Sequence, residues 1–215
     1  MKKLLFLAFA FTTTCIANAQ KPNVGFTAGT AISNYTIKEG GTKVSEEPVA
    51  GITAGILFDI STGKNISFQP ALNFTQKGAK NEETYMGTTE KYKVSVSAIE
   101  LLLNILYNVS AGTGNFFIGA GPSLAFAVSG KSIYDDGTTK EKEDLKFGNN
   151  ENEDDIKGMD FGANILAGYR FANRFQISGQ YNAGLSNLMP GGSDDESLKS
   201  HYFGIKLGWM LKKKK

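Results

Sequence analysis

Residues 175–187, Phe175-Gln176-Ile177-Ser178-Gly179-Gln180-Tyr181-Asn182-Ala183-Gly184-Leu185-Ser186-Asn187, alternate with a period of two. Phe175, Ile177, Tyr181, Ala183 and Leu185 share one face, and Gln176, Ser178, Gln180, Asn182 and Ser186 share the other. Successive side chains of a strand point to opposite sides of its sheet, so this stretch reads as a β-strand with one apolar and one polar face. The polar face decides what kind of sheet it is. A face turned to water is normally rich in lysine and glutamate, whereas this one carries amides, hydroxyls and glycine. Small, uncharged hydrogen-bonding groups suit the narrow interior of an eight-stranded barrel. The apolar face must then point outward, where only lipid suits it. A soluble ligand-binding barrel, the competing fold, would turn its apolar face inward.

Seven more segments repeat the pattern. In 159–171, Met159, Phe161, Ile165, Tyr169 and Phe171 oppose Asp160, Gly162, Asn164, Gly168 and Arg170, and in 202–211 Phe203, Ile205, Leu207, Trp209 and Leu211 oppose Gly204, Lys206 and Gly208. Segments 24–35, 49–60, 66–77 and 116–129 alternate likewise. Segment 92–108 is the least regular, because Val94 and Val96 fall out of phase with Ile99, Leu101, Leu103 and Ile105; a bulge near Ala98 would reconcile them. Short connections at 61–65, 109–115 and 172–174 alternate with long polar ones at 36–48, 78–91, 130–157 and 188–200. Even strand number with alternating short and long connections is the pattern of outer-membrane barrels. The expected fold is therefore all-β, an eight-stranded antiparallel up-and-down transmembrane β-barrel over residues 20–211.

The ends agree with an exported protein. Lys2 and Lys3 precede the apolar run Leu4–Phe11 and the small-x-small site Ala17-Asn18-Ala19, which predicts a cleaved signal over 1–19 and a mature start at Gln20. Acylation at Cys15 is the rival, but Thr12-Thr13-Thr14 lacks the usual lipoprotein positions. Cys15 is the only cysteine and leaves with the signal, so no disulfide, thiolate metal site or cysteine nucleophile is expected. Without the signal the chain has 21 Lys+Arg against 21 Asp+Glu, four of the cations being the basic tail 212–215. Such a balance offers no basic face for nucleic acid.

Two stretches carry a family resemblance. Phe116-Phe117-Ile118-Gly119-Ala120-Gly121-Pro122-Ser123-Leu124-Ala125-Phe126 and Asp160-Phe161-Gly162-Ala163-Asn164-Ile165-Leu166-Ala167-Gly168-Tyr169-Arg170-Phe171, continuing through Gln180–Leu188, resemble the outer membrane protein beta-barrel domain proteins labelled porin-family or PorT-family. Ile99-Glu100-Leu101-Leu102-Leu103 resembles the same family's fourth strand, with Leu101 where a proline is usual. The four lysines after Leu211 depart from barrels that end on an aromatic residue. The resemblance implies outer-membrane location with lipid as the surrounding partner, and the PorT members imply a possible accessory role with secretion or envelope proteins.

No pattern of catalytic, cofactor or metal-ligating residues emerges. His201, the only histidine, adjoins Ser200, but neighbours on a strand face opposite ways and cannot form a hydrolase pair. The nine acids of 130–157 lack the spacing of a calcium loop. The expected function is a non-enzymatic barrel, packed or with a narrow pore, whose external loops bind. Glu100, Asp160, Arg170 and Lys206 fall on polar faces and form the candidate lumen charge network, with Glu100 and Arg170 expected to pair across it.

Overall fold

The computed structural model describes residues 22–85, 88–193 and 195–212. The signal segment 1–19 and the last three lysines lie outside them. Ten strands form one antiparallel sheet: β1 (Asn23–Glu39), β2 (Thr42–Ser45), β3 (Glu47–Ser61), β4 (Ile66–Tyr85), β5 (Thr88–Ala111), β6 (Gly114–Asp135), β7 (Lys140–Asp144), β8 (Met159–Arg170), β9 (Phe175–Gly184) and β10 (Ser197–Met210). Eight of them pair in sequence order and β10 closes onto β1 from Gly25↔Met210 to Lys38↔Ser197, which makes an up-and-down barrel with no free edge. β2 and β7 stand outside the ring, each folded back on the upper part of its predecessor.

The apolar faces point out. Ile105 is 62% exposed and Ile165 58%, while Gln180, Asn182, Asn104 and Thr75 are buried. Water would not tolerate so continuous an apolar exterior, and the soluble-barrel alternative is excluded by it. On β6 the outward side chains run from Phe116 to Phe126 before charge begins at Lys131. Those ten residues rise about 33 Å along a strand, and a tilt of about 40° leaves roughly 25 Å, the height of a lipid-facing band. The interior is narrow enough to require glycine. A Cβ on Gly168 would stand 2.5 Å from the Phe117 ring, which is buried against it.

One end has short turns and both described chain ends; the other carries the long connections. Much of what reads as long polar loop is strand. β1 continues to Glu39 and turns tightly through Gly40 and Gly41, whose φ values of 55° and 84° fit a two-residue hairpin turn that non-glycine residues resist. β4 and β5 stay paired out to Tyr85↔Thr88, and β6 reaches Asp135 before returning as β7. The expected loops 36–48, 78–91 and the first part of 130–157 are thus extensions of the wall beyond the apolar band.

The irregularity near Ala98 also differs from expectation. β5 keeps one facing throughout, with Val96, Ala98, Glu100 and Leu102 all buried. Its register to β6 breaks between Ser97↔Ser129 and Ala98↔Ala127, so Val128 on β6 is the extra residue. It is β6 that reverses: Ser123 and Ala125 point in below Val128, and Gly130 does so above it. Val94 and Val96 are apolar because they meet an apolar cluster inside the barrel, not because they face lipid.

Candidate functional site

Three layers of side chains fill the lumen. At the long end Tyr35, Ala79, Val96, Ile156 and Leu188 form a buried apolar cluster with Leu145 and Phe147 against it. Ile156 and Leu188 belong to the irregular segments after β7 and β9, which fold into the barrel mouth and are tied by the Lys157 amide donating to the Leu188 carbonyl at 2.8 Å. This is a stopper.

Below it lies the polar layer. Lys77 on β4 stands 3.0 Å from Glu100 on β5, with the two side chains 5% and 0% exposed, and 4.0 Å from Asp160 on β8. That Glu100 Oε1 makes an ion pair without hydrogen-bond alignment. The Tyr202 hydroxyl donates to Glu100 Oε2 and receives a hydrogen bond from Gln180 Nε2; Lys206 donates to Gln180 Oε1 at 2.8 Å. Ser200 donates to Asp160. Lower still, Asn164 donates to Asn104 and Asn182 to Ser123, both at 2.8 Å. Each buried charge therefore meets an opposite charge or a chain of amides, as a low-dielectric interior requires. Cavities among the described residues of this part of the lumen measure about 30 and 20 Å³, room for single waters.

Toward the short end the polar layer gives way to apolar clusters of Leu57, Ala71, Leu102 and Met210 and of Leu106, Phe117 and Leu166. Arg170 lies beyond them. Its guanidinium donates to Asp59 at 2.6 Å and to Gln176 at 3.2 Å. Of the four residues expected to form one network, the structure brings Glu100, Asp160 and Lys206 together through Lys77, Tyr202 and Gln180, and leaves Arg170 apart. The expected Glu100–Arg170 pair is corrected for a reason of height. Glu100 and Asp160 are level, both paired with Ala125, whereas Arg170 is ten residues further along β8, roughly 33 Å of extended chain. The partners sequence reading missed were Lys77, Asp59 and Tyr202. Each lies in phase with a polar face: Lys77 with Asn73 and Thr75, Tyr202 with Gly204 and Lys206.

Above the stopper the extended walls surround a cavity of about 620 Å³. Tyr35, Val94, Leu145 and Ile156 form its floor, and Tyr92 and Tyr134 face each other across β5 and β6 on its wall. Glu46, Glu83, Glu90, Glu143, Asp144 and Asp155 line it too, against Lys80 as the one cation among the described residues. Partial burial, with the charge of Glu83 nearby, raises the Glu46 pKa above that of an ordinary glutamate. Desolvation and the hydrogen bond to Glu90 push the Tyr134 phenol up. The acids of 130–157 have structural tasks in part: Asp136 accepts from the Thr138 and Thr139 amides at the β6–β7 turn, and Asp154 and Asp155 accept from the Asn150 and Lys146 amides. Among the described residues no three acids or histidines converge on a point that would hold a metal. Ser200 points into the lumen and His201 lies half-exposed on the outer side.

Residues 18–189 match the family model described as outer membrane protein beta-barrel domain. No curated protein matches the chain. Similar solved structures include Ail, the attachment invasion locus protein of Yersinia pestis, in complex with the heparin analogue sucrose octasulfate (15% identity, 89% of this chain and 100% of that one, TM-score 0.43). Neisserial surface protein A is similar at 11% identity over 87% of this chain and 97% of its own, with a TM-score of 0.40. The outer membrane enzyme PagL is similar at 11% identity over 84% and 99%, with a TM-score of 0.43.

Proposed function

Since the chain belongs to the outer membrane protein beta-barrel domain family and is an outer-membrane barrel, we propose that it is a non-enzymatic, non-conducting barrel that holds its long end outside the cell as a binding structure. The observation that carries this reading is the stopper, with the buried ion-paired layer beneath it and the open 620 Å³ vestibule above it. Ions have no path through the lumen, yet a small molecule has room above it. The absence of catalysis is supported by the opposed facing of Ser200 and His201, since one substrate cannot meet both.

The test is electrical. The purified barrel in planar bilayers should give no steady current steps, and a sustained conductance would overturn the closed-lumen reading. Orientation is read by single cysteines on whole cells: Thr139→Cys and Gly192→Cys should react with an impermeant maleimide, and Gly63→Cys and Asn173→Cys should not. Recovery of a stoichiometric envelope protein with the barrel from detergent-solubilised outer membrane would instead favour the secretion-accessory role that the PorT resemblance implies.

A further inference from the structure

Resting on that reading of the long end, we propose that the vestibule is a binding site for an amphipathic organic cation, an ammonium or guanidinium group carried on an aromatic or branched aliphatic body. The cavity's volume of about 620 Å³ is that of a small-molecule site. Its floor is apolar: Tyr35 and Ile156 are buried there, with Val94 and Leu145 packed beside them. Its wall and rim hold six carboxylates and one ammonium. Among the described residues Glu46, Glu90 and Glu143 have no cation within ion-pair distance, although Lys80, Lys91, Lys131 and Lys140 are paired nearby. Asp144 is paired with Lys131, and the charge of Glu46, Glu90 and Glu143 is left uncompensated around the cavity.

The arrangement selects between ligand classes. An inorganic cation would gain nothing from the floor, and among the described residues no three carboxylates converge to replace its water shell. A neutral apolar molecule would gain nothing from the rim, and an anion would be repelled by it. An organic cation uses both parts. Tyr92 and Tyr134, opposite each other with Glu90 hydrogen-bonded to the second, offer the ring faces and adjoining carboxylate that attract ammonium groups.

Titration calorimetry on the whole barrel in phospholipid nanodiscs, referenced to empty nanodiscs, tests this with three probes that share one indole body: tryptamine, tryptophol and indole-3-acetate. Tryptamine should bind at least tenfold more tightly than tryptophol, and indole-3-acetate should not bind. Replacing Glu83→Gln and Glu90→Gln together should weaken tryptamine at least fivefold and leave tryptophol unchanged, in a barrel whose heat-shifted gel migration is intact. Tyr134→Leu should weaken tryptamine more than tryptophol. Equal affinity for tryptamine and tryptophol, insensitivity to the two acid replacements, or no tryptamine binding at all would each overturn the proposal. None of these outcomes bears on conductance, which tests the closed lumen separately.

Discussion

Lys77 and Glu100 face each other in the lumen with almost no exposure, bridged through Tyr202 to Gln180 and Lys206. A few residues further up the same two strands, Glu83 and Glu90 face the vestibule with no such compensation. The strands are continuous, so the difference lies in the surroundings. Inside, an unpaired charge would be ruinous, and the buried charges meet opposite charges or amides. In the vestibule water solvates the carboxylates, and their charge remains free to act on something else. One set of charges fixes the fold, and the other is available to a ligand.

The sharpest way to break the comparison is to unpair the lumen. Lys77→Met leaves Glu100 buried and uncompensated and should cost about 3–5 kcal/mol in urea unfolding from lipid vesicles. Glu100→Gln should cost a comparable amount, and the double change less than the sum. Arg170→Met comes next. Its side chain is 17% exposed at the short end of the barrel, so water takes over part of the lost interaction and roughly 1–3 kcal/mol is expected. That loss should couple to Asp59→Asn and add independently to Glu100→Gln, as for sites without shared partners. Tyr202→Phe, which deletes the bridge between Gln180 and Glu100, should cost about 1–2 kcal/mol by the same assay.

The vestibule should behave oppositely. Glu90→Gln and Glu143→Gln should leave the unfolding midpoint unchanged while altering cation affinity. Cation affinity should fall as pH drops, beginning above the ordinary glutamate range because the pKa of Glu46 is raised. The smallest effect is expected at the β6–β7 turn. Backbone amides of Thr139 and Thr138 hold the Asp136 carboxyl below the ordinary aspartate range. The turn's stabilisation is then present above the unfolded pKa and is lost as pH falls through the lower folded one. Asp136→Ala should raise amide exchange at Thr138 and Thr139 alone, and exchange that spread into β8 would show that the turn supports more than itself.

Facing was legible in the sequence because a period of two survives whatever the partners are. Height was not. Alternation says that Glu100 and Arg170 both point inward but carries no register between β5 and β8, and this is why their pairing failed while Asp160 came out level with Glu100. The extensions of β1, β4, β5 and β6 were hidden for a different reason. Above the apolar band both faces of a strand meet polar surroundings, so Thr36–Lys43 or Asn81–Thr84 shows no alternation to read. Part of the vestibule was hidden with them, since Glu83, Glu90, Tyr134, Glu143 and Asp144 belong to strand extensions that look like loops. Val94 and Val96 misled because an apolar stopper inside a polar lumen inverts the rule that holds elsewhere in the barrel.

Val128 has a consequence larger than its size. Below it β6 shows its odd-numbered residues to the interior, and above it the even-numbered ones, among them Ser132 and Tyr134 of the vestibule wall. The residue takes up one unit of slack, as a washer does in an assembly. Deleting it would let Ser129 follow Ala127 in plain alternation, and Gly130, Ser132 and Tyr134 would keep their inward facing. β7 is registered to β6, with Ser132↔Glu143 and Lys131↔Asp144, so its side chains would keep theirs as well. The belt that meets lipid lies below the break and would be untouched. The phase of the vestibule wall is therefore set by its pairing with β5, and the strand can lose one residue at this point without exchanging the binding surface.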